Sequence, residues 1–196
     1  MPEVLHQQLR QMIRLSEAEI ESFIRLFTIR HLKKGENLLI PGEICRHLFF
    51  IRSGCIRYYY TSDNGEEHTG QFFFENGWYT DFESYLTGKP GTQTIEAIEA
   101  SVIMQLAKTD IDRLYDENPL FERFGRLMIE QGFLAVKRRN ASFLNESPEE
   151  RYLELMRTRP KVVERVALHH IASYLGIKPE SLSRIRKRLQ MQDSGS

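Results

Sequence analysis

The chain has only two cysteines, Cys45 and Cys55, in 196 residues. With no Cys or His partner at ligand spacing they make neither a zinc set nor an iron–sulfur set. They fit a reducing cytoplasm, each as a small strand residue. No apolar run approaches the roughly 20 residues that span a bilayer, which argues against a membrane partner. The opening segment, MPEVLHQQLRQMIRLSEAEI, lacks the uninterrupted apolar core of a signal peptide. The six histidines include no His-x-His pair, and only His68 lies near a strand core with acidic neighbours. A cupin-type metal enzyme needs clustered histidines and a carboxylate on strands, so the sequence predicts no catalytic residue, no metal and no cofactor. Net charge is missing as well, since 27 Lys and Arg balance 27 Asp and Glu.

That neutrality hides a polarity. Residues 161–190 carry seven cations, Lys161, Arg165, Lys178, Arg184, Arg186, Lys187 and Arg188, against Glu164 and Glu180, a net of +5 that leaves −5 on the rest. Within this basic segment, LHHIASYLGIKPESLSRIRKRL divides into two short helices at Gly176. Ile171 and Leu175 give the first an apolar face, and Ala172 lets a second helix cross closely. Gly176 falls where the chain turns with positive φ, Ile177 plugs the angle, and Pro179 suits a first helical turn. Leu182, Ile185 and Leu189 form the buried stripe of the second helix. The remaining side chains are polar or cationic. This is the helix-turn-helix pattern, whose second helix enters the DNA major groove. The alternative is a surface helical hairpin with a solvated charged face; the local charge argues against it.

Upstream, Ser16 and Glu19 form a capping box between two short N-terminal helices. From about Leu32 to Leu106 short β-rich runs are punctuated by glycine, with a break at Ser53-Gly54 and a hairpin signal at Asn64-Gly65. Such spacing predicts a sandwich or barrel. TDIDRLYDENP predicts a short helix capped by Thr109 or Asp110. A long helix follows, roughly Leu120 to Leu144. Leu120, Phe124, Leu127, Gln131 and Leu134 recur at heptad spacing, beside a second stripe of Phe121, Gly125, Met128, Gly132 and Ala135. One stripe can pack on the β domain while the other meets a partner helix; a wide-faced core helix of a monomer fits the pattern equally. Asn145-Glu146 breaks this helix, and Ser147-Pro148-Glu149-Glu150 restarts another as a capping box with proline in its first turn.

A glycine-punctuated β domain, a long helix and a C-terminal helix-turn-helix, in that order, resemble the CRP/FNR family of bacterial transcription regulators. The similarity is carried by Lys34-Gly35-Glu36, Gly42-Glu43, Ile51-Arg52-Ser53-Gly54, Gly65, Gly77, Ser147-Pro148-Glu149-Glu150-Arg151 and IASYLGIKPESLSRIRKRL. It implies an α+β chain: a jelly-roll sensor-like domain over 1–118, a dimerisation helix over 119–146, and a DNA-binding domain over 147–196. That last domain ends without length for a full β-hairpin wing. The implied partners are double-stranded DNA, a second copy of the chain and RNA polymerase. Base readout falls to Glu180 and Arg184, with Ser181 and Ser183 beside them; Lys178, Arg186, Lys187 and Arg188 face phosphates. Arg184 can donate twice to a guanine edge and Glu180 can accept from cytosine N4. Glu180 can also orient Arg184 through an ion pair. The resemblance implies a half-site with a G·C pair, of the TTGA or TGTGA type.

The chain departs from the family's cyclic-nucleotide binders. Their ribose glutamate and phosphate arginine correspond to Phe82, next to Glu83, and to Thr92 or Gln93. A buried phosphate without a cation is costly, so tight cyclic-nucleotide binding is not expected and the effector is left open. Trp78, Tyr79, Phe82, Glu83, Tyr85, Thr92 and Gln93 are the candidate lining of an effector pocket, although such an aromatic cluster also serves as plain core. A reading from a different class keeps the sensor module and gives the helical tail a protein partner instead of DNA.

Overall fold

A computed structural model describes residues 3–193 of the chain. Two amphipathic helices open it, α1 (Glu3–Met12) and α2 (Glu17–Arg25). The expected capping box starts α2: the Glu19 N–H donates to Ser16 Oγ at 3.3 Å, and the Ser16 N–H donates to Glu19 Oε2 at 2.7 Å. Among the described residues eight strands follow: β1 (Thr28–Leu32), β2 (Asn37–Leu39), β3 (His47–Ser53), β4 (Cys55–Thr61), β5 (Glu67–Phe74), β6 (Trp78–Tyr79), β7 (Thr94–Ala97) and β8 (Ser101–Ala107). They form two four-stranded sheets, in the orders β1-β8-β3-β6 and β2-β7-β4-β5. The pairings of β8 with β1 and β3, of β3 with β6 and of β2 with β7 are all antiparallel.

Strand β3 shows why its sequence, HLFFIRS, lacks the alternation of a half-solvated strand. Phe49 and Ile51 point between the sheets, where they meet Ile56, Ile95 and Ile103. Leu48 and Phe50 point the other way, into a second cluster built from Leu5, Leu9, Ile20 and Phe23 of the N-terminal helices. Each fully buried ring or branched chain contributes about 1.5–3 kcal/mol. This sheet is therefore covered on both faces.

A helix absent from the sequence reading, α3 (Phe82–Thr87), lies between β6 and β7, started by the Asp81 side chain and stopped by Gly88. Helix α4 (Lys108–Glu117) begins one residue earlier than its expected cap: Ala107 is the N-cap, in extended backbone and with no side-chain bond, so neither Thr109 nor Asp110 caps it. The long helix α5 (Pro119–Asn145) is continuous. Its Gly125 admits Tyr115 of α4, whose hydroxyl takes the space where a Cβ would stand. The break after Asn145 falls where the sequence places it, and Ser147 and Glu150 make the second capping box, opening α6 (Pro148–Thr158). Helices α7 (Pro160–Arg165), α8 (Leu168–Leu175) and α9 (Pro179–Asp193) complete the described residues.

Contacts divide the molecule into two units, residues 1–58 with 72–135 and residues 59–71 with 136–196. The long helix is divided between them. Its first turns are anchored by Phe121 and Phe124 in the N-terminal core, and from Val136 onward it belongs with the C-terminal helices. The β4–β5 turn also counts with those helices, which nothing in its own sequence announces.

Candidate nucleic-acid interface

The turn between α8 and α9 is set by one residue. Gly176 has φ +69, and the next N–H, of Ile177, returns to the Ala172 carbonyl at 3.0 Å. A Cβ at Gly176 would lie 3.0 Å from the Phe143 ring, so both backbone and neighbour favour glycine. Ile171, Ala172 and Leu175 of α8 are buried, as are Leu182 and Ile185 of α9, together with Tyr152, Leu155, Val162 and Val166. Leu189 is only half-buried. Arg151 ties α6 to the end of α8, donating from Nη2 to the Leu175 carbonyl at 2.9 Å and from Nη1 to the Glu146 carbonyl at 2.6 Å.

With that stripe inside, the other face of α9 is turned out. Glu180, Ser183, Arg184 and Lys187 are exposed; Ser181 and Arg186 are half-buried. The expected pairing of Glu180 with Arg184 is not made. Arg184 Nη2 instead donates to Ser181 Oγ at 3.3 Å, so the Glu180 carboxylate stays available. Ser183 Oγ donates to the Pro179 carbonyl at 3.0 Å, which leaves its oxygen as an acceptor. Two expected phosphate contacts carry partners of their own: Arg188 pairs with Glu149 of α6, and Lys178 pairs with Glu66 of the β4–β5 turn. The hydrogen bond and charge of Glu66 raise the Lys178 pKa, and Lys178 holds the Glu66 carboxyl below its usual range. The His169 and His170 rings lie tilted against each other in the first turn of α8, centroids 3.9 Å apart and planes inclined by 51°.

The heptad positions of α5 separate into two groups. Phe124 is buried among Phe23 and Trp78, and Leu120 packs against the same cluster. Both face their own core and are withdrawn from a partner seam, because α2 and β6 already occupy that side. Leu127 is half-buried, whereas Gln131 and Leu134 are exposed. The apolar surface lies further along, at Ile129, Phe133, Leu134 and Val136, with Phe133 66% exposed. Ile129, Phe133 and Val136 recur at steps of four and three, a stripe that the sequence reading did not isolate.

The candidate effector residues do not converge on one pocket. Neighbours on a strand face opposite ways: Trp78 turns to the helical cluster, 5.0 Å from the Phe50 ring, while Tyr79 turns between the sheets and stacks 4.3 Å from Phe73. Phe82 approaches Gly132 of α5, 3.8 Å from where its Cβ would stand. Tyr85 is buried near Tyr115, and burial first, then the Tyr115 charge, raises its pKa. Glu83 and Thr92 are exposed. What the segment does gather is buried polarity. Gln93 accepts from the Tyr79 hydroxyl at 2.9 Å, Thr80 donates to the His47 carbonyl at 2.9 Å, and Ser84 Oγ accepts from the Cys45 N–H at 2.9 Å.

Comparison with known proteins agrees with this architecture. Residues 29–118 match the cyclic nucleotide-binding domain family. A curated relative, the fumarate and nitrate reduction regulatory protein of Vibrio cholerae, is 24% identical over 200 aligned residues, 91% of this chain and 76% of the relative. The structure of FixK2 from Bradyrhizobium japonicum superposes with a TM-score of 0.73 at 16% identity, over 85% of this chain and 86% of that one. A structure from Eubacterium rectale assigned to the crp/fnr family superposes with a TM-score of 0.70 at 19% identity, over 91% of this chain and 85% of that one. No helix among the described residues is long and apolar enough to cross a membrane. Residues 29–118 thus carry a cyclic nucleotide-binding domain, and the chain as a whole shares its fold with solved CRP/FNR-type regulators and is similar in sequence to an FNR protein.

Proposed function

We propose that the chain is a homodimeric, sequence-specific DNA-binding regulator of the CRP/FNR type that does not respond to cyclic nucleotides. The observation that carries this reading is the division of α9: Leu182 and Ile185 buried, Glu180 and Arg184 exposed four residues apart on its other side. Residues at that spacing share a helix face, so a guanidinium and a carboxylate can address neighbouring base pairs. Ser181 and Ser183 read alongside them, and Lys178, Arg186, Lys187 and Arg188 take phosphates. Support for a second copy comes from the exposed Ile129, Phe133 and Val136 stripe, an apolar face that needs a cover. Two reader helices then enter successive major grooves about 34 Å apart.

The lack of a cyclic-nucleotide response is supported by Thr92 and Gln93, where a phosphate would need a cation. Gln93 is uncharged and already bonded to Tyr79. A cytoplasmic location and an RNA polymerase contact are inferred from the resemblance to CRP/FNR regulators alone.

Selection from random duplexes tests the reading. It should return an inverted repeat whose half-sites contain a G·C pair. No enrichment at moderate salt overturns it and leaves the helical tail to a protein partner.

A further inference from the structure

We infer that the turn between β4 and β5 is an acidic clasp on the reader helix, which must let go before DNA is bound. The inference rests on the DNA-binding reading above and adds a control element to it. Residues 59–71 form one unit with residues 136–196, and the joint is built from specific bonds. Ser173 of α8 accepts the Thr69 N–H at 2.9 Å and donates to the Glu67 carbonyl at 2.6 Å. Arg139 of α5 donates from Nη2 to the Thr69 carbonyl at 3.1 Å and to the Tyr174 carbonyl at 2.7 Å, with its guanidinium 3.7 Å from the Tyr174 ring centre. Thr69 is buried in this joint. At its outer edge Glu66 pairs with Lys178, the residue before α9 begins.

Charge decides what such a turn can do. A hairpin that grips the DNA backbone as a wing does needs cations. Residues 61–70, TSDNGEEHTG, contain three carboxylates, Asp63, Glu66 and Glu67, and no Lys or Arg. All three are exposed. The N-terminal part of a reader helix is the part that meets the bases, so the Glu66 carboxylate, on Lys178, stands beside the place where phosphates would approach. Glu66 holds the very cation that a phosphate would take. A Lys178 bound to Glu66 releases no counterion, and a duplex must displace the turn to recruit it.

The deciding variant is Glu66→Gln, which keeps the shape and removes the charge. Its affinity for the selected site and for random duplex should rise about two- to fivefold, the range of one exposed ion pair. The slope of log K against log salt should steepen by about 0.9, one additional phosphate contact. A second variant, Thr69→Cys with Ser173→Cys, replaces two hydroxyls that lie 3.1 Å apart; the native thiols are both buried. Its oxidised form should lose DNA binding and its reduced form should regain it. Binding by Glu66→Gln equal to or weaker than wild type, or equal binding by the oxidised and reduced double variant, overturns the clasp. A wild-type chain that binds no duplex overturns the DNA reading itself, which the binding of the unmodified chain reports separately.

Discussion

Arg184 and Lys187 are three residues apart on one exposed face, yet the proposed DNA-binding reading gives them opposite tasks. A guanidinium forks onto a guanine edge, whereas an ammonium acts as a point charge. Arg184→Ala should cost about 1–3 kcal/mol at a single G·C position and relax preference there. Lys187→Ala should weaken all sequences alike and flatten the salt slope by about 0.9. Fluorescence anisotropy titrations on matched and mismatched duplexes at several salt concentrations separate the two. The exposure of both residues was legible from the Leu182, Ile185 and Leu189 stripe alone. Their partners were not. Spacing that allows a Glu180–Arg184 ion pair does not make it form, and Ser181, one turn away, holds the guanidinium instead. The Lys178–Glu66 contact joins residues 112 positions apart, a separation over which no local pattern carries information.

At the scale of elements, the capping boxes were the most readable features because every atom of the motif lies within four residues. Ser147→Ala should lower stability by about 1 kcal/mol, measurable by urea denaturation. The Ser147 backbone N–H, then its side chain, hold the Glu150 carboxyl below its ordinary value of 4.5. A depressed folded-state value means that stabilisation is present above 4.5 and lost as pH falls through the lower folded value. The stability difference between wild type and Glu150→Gln should therefore be present at neutral pH and vanish in acid. Elements governed by distant packing were harder to see. Helix α3 has only six residues, and its aromatic sequence reads as loop or core until Asp81 and Gly88 are found at its ends. The heptad seam of α5 named residues that share a face, but periodicity is silent on what a face meets. Leu120 and Phe124 meet α2 and β6, and the exposed apolar stripe starts at Ile129.

For the whole molecule, the open face of α5 gives a direct test of assembly. Phe133→Glu places a charge in the stripe without touching the core, since this side chain is already largely solvated. Sedimentation should show a shift from dimer to monomer, with circular dichroism unchanged. Affinity for an inverted repeat should fall to that for an isolated half-site. The same two-unit construction has a practical consequence for anyone following its unfolding. The chain's single tryptophan, Trp78, sits in the N-terminal unit against Phe27, Phe50 and Phe124, with its indole N–H on Gln8. Indole emission consequently reports the loosening of the N-terminal helices from their sheet and not the melting of α8 and α9. A transition confined to the C-terminal unit will show in far-ultraviolet ellipticity while the indole signal stays flat.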